Sequence, residues 1–211
     1  TLKLDIKEDD IKYYNRIINK YEKVIPSYYK FFKTHIINHF KDYQNTVGLD
    51  YGCWIGLSTL TYSLFNNSKI YNCDFYEKNI LNSFFKDIRN KLNKKSTEIE
   101  YFKIKKELIS LNIDWIMMYD VLCEYNISKN AIIGDIQIKQ KISENNLLDL
   151  TIRLKNLYNI LNKNGILLIT DMENNKGISL KEITKIIKSI CENYKIIFVP
   201  NSTRYIIKCY K

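Results

Sequence analysis

Three of the six glycines in this 211-residue chain fall within nine residues, in the stretch GLDYGCWIGLSTL at 48–60. Glycine lets a backbone turn sharply and lets a ligand approach without a Cβ in the way. A helix that starts behind such a turn offers free N–H groups and a partial positive charge to a carboxylate or phosphate. A second feature lies 22 residues beyond Gly52, where the apolar run KIYNCDF closes with Asp74. A carboxylate at the end of a second strand accepts hydrogen bonds from vicinal ribose hydroxyls. Glycine turn and acid together call for a nucleoside-containing ligand, either a dinucleotide or an adenosyl compound. The loop is not GxGxxG, because Cys53, Trp54 and Ile55 separate Gly52 from Gly56. The dinucleotide reading is therefore poor. Three further acids, Asp120, Glu124 and Asp171, follow apolar runs and are candidates for a general base toward a hydroxyl acceptor.

The elements that must position these residues alternate in type. VGLDY, KIYNCDF, IEYFKIK, DWIMMYD and ILLIT read as strands, and the last two are nearly all apolar, as strands buried on both faces are. Helices are expected over 57–65, 77–92, 147–161 and 179–194, the last with Ser179 as N-cap and Glu182 completing a capping box. Gly165 in NKNG is placed to end the third of these in the left-handed C′ position. KIIFV, the turn PNSTR and YIIKCY form a closing antiparallel hairpin. Upstream, 6–24 and 28–40 read as two amphipathic helices broken at Pro26, a helical lid over residues 1–44. The alternation over 45–211 predicts a doubly wound α/β domain, with 126–146 as an insertion whose AIIGDIQIK reads either as an extra strand or as a lid.

Composition narrows the class. The apolar fraction of 45% is enough for a core, and no run approaches the length of a membrane span. Residues 1–10 are polar and acidic, without a signal-peptide h-region. Five cysteines (Cys53, Cys73, Cys123, Cys191, Cys209), odd in number and without a CxxC pair, argue for free thiols in a reducing, cytoplasmic setting. They argue against a zinc site, and no metal is expected. His35 and His39 stand four apart on one helix face but lack a companion acid or cysteine, so packing explains them better than metal binding. The net charge of +10 invites a nucleic-acid partner, yet only four of the 33 basic residues are arginine and the lysines are spread along the chain. A solvated lysine-rich surface accounts for that pattern.

At these motifs the chain resembles the class I S-adenosylmethionine-dependent methyltransferases. VGLDYGCWIGLSTLTYSL is similar to their first motif, an apolar strand with an acid, then x-G-x-x-x-G and a helix. IYNCDFYEKNI resembles their ribose-binding motif and IDWIMMYDVLCEY their fourth-strand motif. LKNLYNILNKNGILLITD resembles their helix, turn and fifth strand, and the closing hairpin is their distinctive end. The resemblance covers about residues 45–211, apart from 126–146. It implies a Rossmann-like, seven-stranded, mostly parallel sheet with a C-terminal antiparallel hairpin, and an N-terminal helical lid. It implies that S-adenosyl-L-methionine is the cofactor. Asp50, Gly52, Cys53, Trp54 and Gly56 would line its methionine end. Asp74 would hold the ribose with Phe75 beside the adenine, and Tyr119 and Asp120 would lie near the sulfonium and the acceptor. From the lid, Tyr29 would reach the ligand, while Tyr28, Phe31 and Phe32 would be mostly core.

Trp54 in the glycine loop, and the absence of a separate RNA-binding domain, lean the expected acceptor toward a small molecule or glycan precursor, methylated at oxygen. No Asn/Asp-Pro-Pro-Tyr sequence occurs, so methylation of exocyclic base nitrogens lacks its usual signature. An RNA methyltransferase using the basic surface is the alternative, and a non-catalytic module on a methyltransferase fold is the third reading.

Overall fold

The computed structural model describes residues 30–43, 45–53, 58–59, 68–74, 99–103, 112–122, 144–173 and 178–211. The helices expected over 6–24 and 77–92 and residues 126–143 lie outside the described residues, while 144–146 open the helix expected from 147. Seven strands form one sheet: β1 (Val47–Tyr51), β2 (Lys69–Asp74), β3 (Ile99–Lys103), β4 (Ile113–Tyr119), β5 (Leu161–Met172), β6 (Tyr194–Phe198) and β7 (Arg204–Tyr210). Their order across the sheet is β3-β2-β1-β4-β5-β7-β6. The first five run parallel, and β7 is antiparallel to both β5 and β6. Chain order therefore reverses direction between β1 and β4, the place where open α/β sheets bind ligands beyond their strand ends.

The central strands are apolar because both their faces are covered. One face carries Leu49, Tyr51, Ile116, Met118, Leu167, Ile169, Tyr205 and Ile207, packed against α1 (Glu144–Ile160) and α2 (Leu180–Ile190) through residues such as Leu150, Leu154, Ile183 and Ile187. The capping box at Ser179 forms as its sequence pattern predicts, with the Ser179 hydroxyl accepting from the Glu182 amide. The helix ends at Ile190 rather than 194, because Tyr194 already pairs with Cys209 in the hairpin. The other face presents Ile70, Trp115, Met117, Tyr119, Ile166, Leu168 and Ile206 to a covering segment that contributes Phe32, Ile36 and Phe40. That segment is helical but irregular: a π-helical turn over Phe32–Ile36 passes into a 3₁₀ turn over Ile37–Phe40. Single π turns occur most often at functional sites.

Two glycines are fixed by close neighbours, and one of them departs from its sequence reading. Gly165 does not take the left-handed conformation; Asn164 does, with φ of 68°. Asparagine tolerates that region better than other side-chain-bearing residues do. Gly165 is needed for space, since a Cβ there would come within 2.8 Å of the Asn162 carbonyl and 2.9 Å of the Asp114 carbonyl. Gly48 is likewise needed for space. Its neighbour across the pair is Trp115, and a Cβ would lie 1.9 Å from the indole ring. The tryptophan lies over the glycine and is fully buried.

Candidate functional site

Strand register brings the singled-out residues to one level at the carboxyl edge of the sheet. Tyr51 is opposite Cys73, so the next level joins Gly52 to Asp74. Asp50 is opposite Met117, and two residues further Gly52 meets the level of Tyr119. Tyr119 is opposite Thr170, Thr170 opposite Ile206, and Met172 opposite Arg204. Asp74, Gly52, Tyr119, Asp120, Asp171 and Arg204 thus lie along one line across five strands. Tyr29, Trp54, Gly56, Phe75 and Glu124 lie outside the described residues, and Asp74 is described in its backbone alone.

Around the glycine turn, the fully buried Asp50 carboxylate is held from within. Its Oδ2 accepts from the Ser58 hydroxyl at 2.5 Å and from the Thr59 hydroxyl, both on the helix that follows the loop. The Thr59 hydroxyl also lies 2.6 Å from the side-chain amide of Asn72 on β2. The amide atom that faces it is the oxygen Oδ1, so the single hydroxyl proton lies between two acceptors, the Asp50 carboxylate and the Asn72 amide oxygen. Asp50 consequently braces the loop and ties β1, β2 and the helix start together. Gly52 follows with φ of +73°, and the space its Cβ would need is filled by Val121 at 2.6 Å. Cys53 is buried.

The turn after β4 is held by three neighbours. Asp120 has φ of 54°, a left-handed conformation that aspartate visits more readily than most residues. Its amide donates to the Thr170 carbonyl at 2.9 Å. Both its carboxylate oxygens accept from Arg204, Oδ2 at 2.8 Å from Nη2 and Oδ1 from Nη1, the forked geometry that makes arginine a strong carboxylate partner. Val121 packs on Gly52, and the Leu122 amide donates to Asp171 Oδ2 at 3.0 Å. Asp171 is buried and takes the Met172 amide on its other oxygen at 2.7 Å. It serves this turn as a brace. Beside it, the buried Tyr205 phenol is pushed well above its ordinary pKa by desolvation and then by the nearby Asp171 and Asp120 charges, so it stays neutral.

The Arg204 guanidinium lies over two rings, 5.1 Å from the centroid of Tyr119 and 5.2 Å from that of Phe31. Phe31 and Phe32 in turn meet Tyr119 with centroids 5.9 and 5.1 Å away. Sequence reasoning brought Asp120, Asp171 and Tyr119 to this place but missed Arg204, and it left Phe31 as core. No local signal marks the Asp120–Arg204 pair, since 84 residues separate the partners. The hydroxyls of Ser58 and Thr59, directly after the glycine loop and opposite a buried acid, were a legible sign that Asp50 Oδ2 is held from within the chain. Among the described residues no group of three metal-ligating side chains occurs, and no helix is long and apolar enough to cross a membrane.

No family model matches the sequence, and no curated protein is detectably similar to it. Solved structures are similar in fold at low identity. A putative O-methyltransferase from Nostoc punctiforme superposes with a TM-score of 0.57 at 13% identity, over 88% of this chain and 60% of that one. Magnesium protoporphyrin IX methyltransferase from Synechocystis with bound SAH gives 0.56 at 10% identity, over 90% of this chain and 83% of that one. A TehB-like SAM-dependent methyltransferase from Corynebacterium glutamicum gives 0.57 at 11% identity, over 93% and 97% of the two chains. The chain thus spans about the length of the last but only 60% of the first.

Proposed function

From a chain whose fold is that of the class I SAM-dependent methyltransferases, we propose an enzyme that passes a methyl group from S-adenosyl-L-methionine to a small-molecule or glycan-precursor acceptor at oxygen. The observation that carries the reading is the line of residues at the sheet's carboxyl edge, centred where strand order reverses between β1 and β4. The residues suit an adenosyl ligand by their chemistry. Asp74 ends the strand beside the glycine turn, one strand spacing away, as a carboxylate for a ribose diol must. Gly52 turns its backbone in the left-handed region, and the Asp50 network holds that turn without lending its own carboxylate oxygen Oδ2 to a ligand. Trp54, Gly56 and Phe75 complete the proposed cofactor side, and Tyr119 and Asp120 stand at the acceptor side.

When bound, the cofactor supplies a methyl group on a sulfonium that is already a good leaving group. The chain's residues then contribute chiefly alignment and exclusion of water, and positioning alone is worth several kcal/mol in such reactions. Tyr119, only 9% exposed, offers an apolar ring wall at the reacting end. Asp120 and Asp171 spend their oxygens on Arg204 and on backbone amides, so the general base we propose is Glu124 or the acceptor's own environment. Residues 1–44 act as a lid, with Tyr29 reaching the ligand. The setting we propose is cytoplasmic.

Calorimetric titration with S-adenosyl-L-methionine and SAH tests this directly. Asp74→Ala should weaken binding tenfold or more, since a hydrogen bond to a charged group is worth about 1.5–3 kcal/mol. Unchanged affinity in the variant refutes the ribose assignment, and no binding by the wild type refutes the cofactor.

A further inference from the structure

Arg204 is the residue through which three separate parts of the chain meet at the site. It comes from the first residue of β7, beyond the turn that follows β6. It grips the Asp120 turn by two forked hydrogen bonds, and its guanidinium lies within 5.2 Å of the ring centroids of Tyr119 on β4 and Phe31 on the covering segment. The side chains of Arg204 and Asp120 are 17% and 24% exposed, so the pair is largely desolvated yet still at the rim. A left-handed turn on a residue with a Cβ persists only where surrounding contacts over-determine it. Here the Thr170 carbonyl, the Asp171 carboxylate and Arg204 do so together. Arg204 also touches the covering segment, through the Phe31 ring.

We propose that Arg204 is the positioning residue of this site: it locks the Asp120 turn, the Tyr119 ring and residues 30–40 into one arrangement. The inference rests on the methyltransferase reading in so far as it names what is positioned. Arg204 acts through Asp120 and the two rings. Because Val121, the next residue of the turn, fills the space above Gly52, a loosened Asp120 turn is felt at the glycine turn as well. Arginine is required for its fork, since a lysine keeps the charge but offers a single point donor.

The test titrates SAH into the wild type, R204K, R204Q, D120N and the R204Q/D120N double variant, well below their unfolding midpoints. Hydrogen exchange of the backbone amides is followed in the same proteins. Each single variant should weaken SAH about tenfold, and the double variant no further than either single one, because the two residues form one device. Exchange should quicken at 120–122 and across 30–40 while α2 keeps its protection. An R204K variant that binds like wild type, losses that multiply in the double variant, or unchanged exchange in both segments would each overturn the assignment. If R204Q does not fold, R204K and D120N carry the same comparison. If the wild type itself binds neither SAH nor S-adenosyl-L-methionine, the functional reading fails and exchange alone decides. Faster exchange confined to the two segments then upholds Arg204 as their lock, and unchanged exchange refutes it.

Discussion

Two turns at the carboxyl edge of the sheet adopt the same unusual backbone conformation by different means. After β1 the chain turns left-handed at Gly52 with φ of +73°; after β4 it does so at Asp120 with φ of 54°. The first turn uses a residue with no Cβ, and the neighbouring Val121 takes up the vacated space. The second keeps its side chain and uses it, anchoring the carboxylate on Arg204. They interlock, because Val121 belongs to the second turn and fills the gap in the first. A turn fixed by the absence of atoms needs no distant partner of its own and feels the rest of the fold only through Val121. A turn fixed by a distant partner reports whether that partner is in place.

The contrast is most sharply tested at Gly52. An alanine there meets left-handed strain of about 1–2 kcal/mol. It also meets overpacking against Val121 of about 1–3 kcal/mol. The sum, about 2–5 kcal/mol, should lower Tm by roughly 5–15 °C for a chain of this length. Adding Val121→Ala should return the overpacking share but not the strain. A double variant as stable as wild type would mean that the glycine is there for space alone, and the two turns would not share a conformational cause.

Asp120 should rank the same two residue types in the same order, glycine above alanine, but with a lost partner added to both. Asp120→Ala keeps the strain and leaves the largely buried Arg204 without its carboxylate, a loss of about 1.5–3 kcal/mol for hydrogen bonds to a charged group. Asp120→Gly loses the same partner but relaxes the backbone, and should be milder by about 1 kcal/mol. Chemical denaturation of both variants measures the difference. If alanine and glycine cost the same, the turn is not strained and Arg204 has nothing to compensate.

This pair of turns also separates what the sequence made legible from what it did not. Gly52 was visible because glycine is rare in this chain and three fell together. Asp74, Tyr119, Asp120 and Asp171 were visible because each closes an apolar run, and strand ends are where such sheets bind ligands. The capping box and closing hairpin were equally local and came out as read. What escaped depends on contacts distant in sequence. Arg204 is silent until β7 is placed beside β5, Gly48 is explained only by Trp115 on the neighbouring strand, and the left-handed role moved from Gly165 to Asn164 once β4 crowded the glycine. The covering segment kept its apolar spacing but not its regular helix, since Phe31 must reach Arg204 while Phe32, Ile36 and Phe40 fill the sheet face.

The smallest expected effect concerns the covering segment, which meets the Asp120 turn directly through Arg204 and the Gly52 turn only through Val121. Besides the Phe31 contact with Arg204, the segment is tied to β7 where the Lys208 ammonium donates to the His39 carbonyl at 3.4 Å. Burial, then the neighbouring Lys208 charge, hold the His39 pKa below its ordinary value, against a smaller opposing contribution from the His35 backbone. The sign follows from proton counting. Above the unfolded value of about 6.5 the imidazole is neutral in both states and contributes nothing. As pH falls through that value the unfolded chain takes up a proton that the folded chain refuses, and stability declines until the folded value is passed. The denaturation midpoint should therefore drop between pH 7.5 and 5.5, and His39→Gln should flatten that part of the profile. A His39→Gln variant with the same slope would place the pH response in other groups and leave His39 out of it.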